Sequence, residues 1–255
     1  MNIDAHFVEA SSALFLSRVV RSIGTIDPRA SVHTRQWGDA IAMISGPRYP
    51  FNHVAGVFDP LYLPEAQAYF RTHETPLRVE CSSHIQSVPE ILALRDAGLV
   101  PYPAMNVWTR ETYAPTPRTA ASNLVWTTSS DNPVAVDHLA SDSERVLRHA
   151  YAMQPDATFV SILHGDGVIA SAGMRVQAGY GFCFGAWIAP HRRQRVHFET
   201  LLDASLYYAA ELGCHSVVVH AHAHSSLART ATERGFVMRW ERTIWTSQRK
   251  MRGAK

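Results

Sequence analysis

The feature that most constrains this chain is that it repeats itself. LRDAGLVPYPAMNVWTR (Leu94 to Arg110) aligns without a gap on ATERGFVMRWERTIWTS (Ala231 to Ser247), 137 residues further on. Asp96 meets Glu233, Gly98 meets Gly235, Leu99 and Val100 meet Phe236 and Val237, and Trp108-Thr109 meet Trp245-Thr246. At the same offset LRVEC (Leu77 to Cys81) falls on CHSVV (Cys214 to Val218), and AYF (Ala68 to Phe70) on SLY (Ser205 to Tyr207). A match that runs through so many kinds of element is the mark of two copies of one half-size unit. Between the copies, ETYAPTPRTAAS (Glu111 to Ser122) has the two prolines and small polar residues of a linker. The sequence therefore predicts one domain over 1–110, a linker over 111–122 and a second domain over 123–255.

The C-terminal copy reads in order. Helix DHLASDSERVLRHAYAM (Asp137 to Met153) precedes strand TFVSIL, the turn HGDG, strand VIASAGMRV, the turn QAGYG and strand FCFGAWIA. Asp-Gly and Gly-rich steps between apolar runs signal hairpins. Phe198, Leu201, Leu202, Ser205, Tyr208 and Leu212 then recur at helical spacing up to Gly213. Strand SVVVHAHAH follows, with Ser225 or Ser226 as N-cap of LARTATER, Gly235 after that helix, and a final strand region ending near Trp245. The N-terminal copy repeats this order less distinctly: an amphipathic opening (Ile3, Phe7, Leu14, Val19), strands around AIAMISG and HVAGVF, helix PEAQAYFRT and strand LRVEC. The fold class is α+β, two units that are each a mixed, mainly antiparallel sheet flanked by helices.

Composition removes several function classes. With 24 Lys+Arg against 22 Asp+Glu, net +2, there is no global basic field to draw nucleic acid. No apolar run approaches a membrane span, and Met1 to Ser22 carries Asp4 and Glu9 where a signal peptide needs positive charge, so the chain reads as cytoplasmic with no membrane partner. The three cysteines form no CxxC, which argues against a disulfide or zinc framework.

Charge is concentrated at one place, PHRRQRVHFETLL (Pro190 to Leu202), after an apolar strand and before an amphipathic helix. Unpartnered N–H groups and the dipole make a helix N-terminus an anion site, although loops that bind phosphate usually carry glycines and this one has none. A solvated turn is the plain alternative. The N-terminal copy is seven residues shorter in this stretch and has only LYLPEAQ there, so an anion site belongs to the C-terminal half alone.

This order of elements, with Pro190, Arg193 and the Leu201-Leu202 pair, resembles the GNAT superfamily of N-acetyltransferases and its P-x-x-R-x-x-G-x-G/A stretch. ARTATERGF (Ala228 to Phe236) is similar to that family's closing helix before Gly-Phe. FNHVAGV (Phe51 to Val57) resembles a strand of tandem members, in which a degenerate N-terminal copy accompanies a functional C-terminal one. The sequence departs from the pattern at Val196 and Phe198, where the family has small residues, and at Thr232, where many members have a tyrosine acting as general acid. The resemblance implies acyl transfer from acetyl-CoA or another acyl-CoA to a small-molecule or peptide amine, by direct attack on the thioester. It places the cofactor against Ala186, Trp187 and Ile188 of the strand, Arg193, Gln194, Arg195, Val196, His197 and Phe198 of the loop and helix start, and Ser226 of the following helix.

HAHAH (His220, His222, His224) is the other conspicuous run. Alternation sets the three imidazoles on one strand face, about 6.5 to 7 Å apart, which suits convergence on a metal poorly. No metal is expected, and a metal-dependent hydrolase is the least supported function. In the GNAT-like reading His222 or His224 takes a proton from the acceptor ammonium, against the plain alternative of polar residues lining a wet cleft. Ser225 and Ser226 also have a capping role to fill. The rival function is a non-catalytic tandem protein of the same fold that binds a ligand or partner through its altered loop.

Overall fold

The computed structural model describes residues 3–112, 123–128, 141–165, 167–189 and 194–247. It divides into two units, Met1–Ala104 with Glu241–Lys255, and Met105–Trp240. In chain order the first unit holds α1 (Ala5–Ile26), β1 (His33–Trp37), β2 (Ala40–Ile44), β3 (His53–Gly56), α2 (Leu63–Thr72), β4 (Arg78–Ser82), α3 (Val88–Asp96) and β5 (Leu99–Pro103). The second holds β6 (Met105–Glu111), β7 (Leu124–Thr128), α4 (Asp142–Ala152), β8 (Ala157–His164), β9 (Gly167–Gln177), β10 (Tyr180–Ile188), α5 (Arg195–Glu211), β11 (Ser216–His222), α6 (Ser226–Glu233) and β12 (Val237–Trp240). The last strand, β13 (Arg242–Ser247), returns to the first unit.

The two sheets run β1-β2-β3-β4-β13-β5 and β12-β6-β11-β10-β9-β8-β7, both mixed and mainly antiparallel. The repeat is visible in them element by element. Helices α3 and α6 each end two residues before a glycine at positive φ, Gly98 at 76° and Gly235 at 77°, the conformation that lets a helix stop and reverse at little cost to a residue without Cβ. Each glycine leads into a short strand, β5 or β12. Asp4 caps α1 by accepting the Phe7 N–H at 3.1 Å, and the helix packs on β2 and β3 through a face that buries Val8, Val19 and Ile23. Val54, Phe70, Val79, Leu94 and Trp245 lie in the core of the first unit, and Leu202, Ala209, Val217, Val219 and Phe236 in that of the second. No helix among the described residues is long and apolar enough to cross a membrane.

Where the sequence predicts one strand region ending near Trp245, there are two strands in two sheets. Strand β5 leaves one sheet and β6 enters the other with only Ala104 between them; β12 and β13 are joined in the same way by Glu241. A tight hairpin takes at least two loop residues, so neither pair can fold back on itself. Instead β6 lies between β11 and β12, from Ser216↔Glu111 to His222↔Met105 on one side, and β13 lies between β4 and β5. The two tryptophans matched by the repeat, Trp108 and Trp245, thus sit in strands that the halves exchange. The partition also runs differently from a boundary at 110 and 123, because β6 pairs with the second sheet and β13 with the first. Most of the expected linker, 113–122, lies outside the described residues.

Strand β13 is anchored by charge as well as by its ladders. Arg242, 4% exposed, donates from Nε to Glu9 Oε1 at 3.0 Å and from Nη2 to Glu9 Oε2 at 2.8 Å, and its Nη1 lies 3.2 Å from Glu80 Oε1. Removing one member of a buried ion network strands the others without solvent. Arg242→Met should therefore lower the stability of the full chain by about 3 to 5 kcal/mol in urea unfolding, while the triple change Glu9→Leu, Glu80→Leu, Arg242→Met recovers most of that loss.

Candidate functional site

Strands β10 and β11 begin as a parallel pair and then part. Their ladder covers only Tyr180↔Ser216 to Phe182↔Val218, although β10 continues to Ile188 and β11 to His222. The cause is local. Gly185 has a φ of 57°, and the register of β10 on β9 shifts between Phe184 and Trp187, a bulge that bends the strand and increases its twist. Strand β11 cannot follow, since β6 holds it along its whole length. The result is a cleft of about 630 Å³ at the open ends of the two strands, closed at the other side by the starts of α5 and α6.

Helix α4 furnishes the wall beside the bulge. Glu144 and Arg148, four residues apart, face the cleft from adjacent turns. The Trp187 indole N–H donates to Glu144 Oε1 at 3.1 Å, and the Arg148 guanidinium lies over the Trp187 ring at 5.0 Å. Arg148 Nη1 donates to the carbonyl of Gly185 at 3.0 Å, tying the helix to the bulge itself. Burial draws the Arg148 guanidinium down to about 10, with Glu144 and Tyr151 pulling the other way, so it is still a cation at neutral pH. Behind the bulge, Tyr151 stacks on Phe184 at 5.4 Å, and burial pushes its hydroxyl up to about 12.

On the other wall, His220, Ala221 and His222 of β11 line the cleft, and Ser225 caps α6, accepting the Ala228 N–H at 3.1 Å and donating to the His222 carbonyl at 2.8 Å. Capping thus accounts for Ser225 and leaves Ser226 on the cleft. Thr230, 1% exposed, lines the same wall with a hydroxyl that has no hydrogen-bond partner among the described residues.

The residues expected from sequence divide into three groups. Ala186, Trp187, Ile188, Gln194, Arg195, Phe198, His222 and Ser226 all line the cleft. Val196 is exposed and His197 half-buried on α5, and His224 is exposed in the turn after β11, none of them in the lining; Arg193 and Pro190 lie outside the described residues. The expectation of three imidazoles on one strand fails at His224, because β11 ends at His222 and the chain turns to cap α6. Arg195 is committed elsewhere, bonding Glu199 at 2.8 Å and pairing with Glu233. Thr232 is off the cleft, its hydroxyl bonded to the Ala228 carbonyl at 3.0 Å. Among the described residues no group of three or more His, Cys, Asp or Glu is arranged to hold a metal. Sequence reading gave no role to Glu144, Arg148 and Arg229, which also line the cleft. The i, i+4 spacing of Glu144 and Arg148 was readable, but their proximity to Trp187 depends on the sheet.

Gly185 carries the geometry of the cleft, so a side chain there acts through backbone strain. Gly185→Val forces a β-branched residue into the left-handed region and should cost about 1 to 3 kcal/mol in chemical unfolding, with Gly185→Asn costing less.

Neither a protein-family model nor a curated protein matches the sequence. Solved structures do match in fold. A GCN5-related N-acetyltransferase from Kribbella flavida is 17% identical with a TM-score of 0.59, over 94% of this chain and 96% of that one. A tandem GNAT protein from the clavulanic acid biosynthesis pathway is 14% identical with a TM-score of 0.62, over 90% of this chain and 87% of its own. The C-terminal domain of a putative lysylphosphatidylglycerol synthetase from Agrobacterium fabrum is 13% identical with a TM-score of 0.51, over 96% and 93%.

Proposed function

On a chain with the tandem GNAT fold, we propose that the C-terminal unit is an acyltransferase that moves an acyl group, in the first instance acetyl, from acyl-CoA to an amine. The observation that carries this is the parting of β10 and β11 beside the α5 N-terminus. Strand backbone that loses its neighbour must bond to something, and an extended pantetheine arm offers amide partners to the freed edges. The residues present fit such a ligand. The N-cap of α5, Gln194, makes no side-chain cap bond, which leaves the helix start open to phosphate, and the Thr230 hydroxyl, without a partner among the described residues, faces the same space.

Held in the cleft, the thioester carbonyl is approached by the neutral amine. The amine nitrogen forms a bond to the carbonyl carbon, backbone N–H groups of the bulged strand take the developing oxyanion, and the C–S bond then breaks to release CoA thiolate. His222, exposed at the cleft mouth, accepts the proton of the incoming ammonium. As the amide forms, its nitrogen sheds a proton, and the thiolate takes up that proton through water, since Thr232 points elsewhere. His224 lies outside the lining and is not needed in this scheme.

Turnover of acetyl-CoA across a panel of amines tests the reading, with CoA titration alongside. Wild type should bind CoA, and His222→Ala should lower kcat about 100- to 10,000-fold with CoA affinity unchanged. Arg193→Ala should weaken CoA binding about 10- to 150-fold, and Arg195→Ala less, because Arg195 already pairs with Glu199 and Glu233. Absence of measurable CoA binding by wild type would remove the acyl-transfer reading.

A further inference from the structure

Arg148 has no part in the chemistry above, yet packing aims it into the cleft. A guanidinium has five N–H donors in a planar fork. Both hydrogen bonds of Arg148 come from Nη1, to the Gly185 carbonyl at 3.0 Å and at 3.5 Å to Ser171 Oγ. Its Nε and Nη2 donors, the edge that meets a carboxylate through two parallel bonds, find no acceptor among the described residues. Glu144, one turn earlier, does not fill that edge. One of its oxygens is engaged by the Trp187 indole, and no ion pair joins it to Arg148. The fork is also held still, with the Trp187 ring on one face and the bulge carbonyl at one end. A rigid, half-buried cation with an unused bidentate edge is a built site for an oxyanion.

We infer that the acceptor amine carries a carboxylate, and that Arg148 binds this group through its Nε–Nη2 edge while Glu144 keeps Trp187 in position beside it. The inference rests on the acyl-transfer reading and names its acceptor class: amino acids and other amino-carboxylates. Arg148 stands beside the bulge on the α4 wall, whereas the phosphates of the acyl donor are assigned to the α5 start. Its loss should therefore leave donor binding alone and affect only discrimination among acceptors.

The test uses the full chain as wild type, Arg148→Met and Arg148→Lys, with free amino acids each paired with its own amide as acceptors. Wild type should show kcat/KM about 10- to 150-fold higher for the acid than for the amide of the best pair. In Arg148→Met that ratio should fall to about one, with the CoA Kd within about twofold of wild type. Arg148→Lys, which keeps charge but loses the fork, should lie between, and it carries the test if the methionine variant does not fold. Wild type acting alike on acid and amide overturns the inference and leaves acyl transfer standing. So does an Arg148→Met variant that loses CoA binding, since Arg148 would then serve the donor. A second readout needs neither turnover nor donor: modification of Arg148 by phenylglyoxal, followed by peptide mapping, should be slowed by the amino acids and not by their amides. If no acid in the panel protects Arg148, the inference fails whatever the outcome with CoA; if CoA alone fails to bind, acyl transfer falls while the carboxylate site is judged by this protection.

Discussion

Two single residues, Ala104 and Glu241, constrain the whole molecule. Each joins two consecutive strands with a connection too short for a hairpin, so each forces the chain out of the sheet it has just completed and into the other. The halves of the sequence therefore do not coincide with the units of the structure. Each sheet receives an inner strand from the other half, β6 next to β11 and β13 next to β4, and the Arg242 network with Glu9 and Glu80 buries charge where β13 begins.

The cleft depends on this arrangement. A parallel pair of strands can part only if one of them is held on its far side, otherwise both relax together. Strand β6 holds β11 from Ser216 to His222, so the bend introduced at Gly185 displaces β10 alone. The same bend brings Trp187 under Arg148 and within reach of Glu144, and it leaves His220 and His222 facing the gap from the fixed strand. Sheet topology, one left-handed glycine and one helix wall thus determine where a ligand can enter and which side chains it meets.

Much of this was legible in the sequence, for identifiable reasons. The repeat appears because Gly98 and Gly235 answer the same local demand, a helix stop at positive φ, and such demands leave a residue-level trace. The strand residues Ala186 to Ile188 and the helix-start residues Gln194, Arg195 and Phe198, singled out through the family resemblance, line the cleft because their place in the order of elements puts them there. His224 was misplaced because alternation says nothing of where a strand ends; the turn that caps α6 decides that. The exchange was missed because strand partners are not encoded in period-two patterning, and Trp108 and Trp245 look alike whichever sheet they join. Arg148 and Glu144 gave no signal of their own: an acid and a base four residues apart on a helix usually mark a solvated face, and only the bulge of β10 turns them into a cleft wall.

The cleft is built on a sheet that the other half of the chain completes. Excising the two alternatives and comparing their thermal unfolding tests this directly. Residues 105–240, which include β6, should fold as a cooperative monomer, and residues 123–255, cut at the sequence boundary, should not, because β13 cannot turn back through Glu241 to replace β6. A monomeric 123–255 fragment as stable as 105–240 would contradict the account, since it would mean that the C-terminal half closes its own sheet.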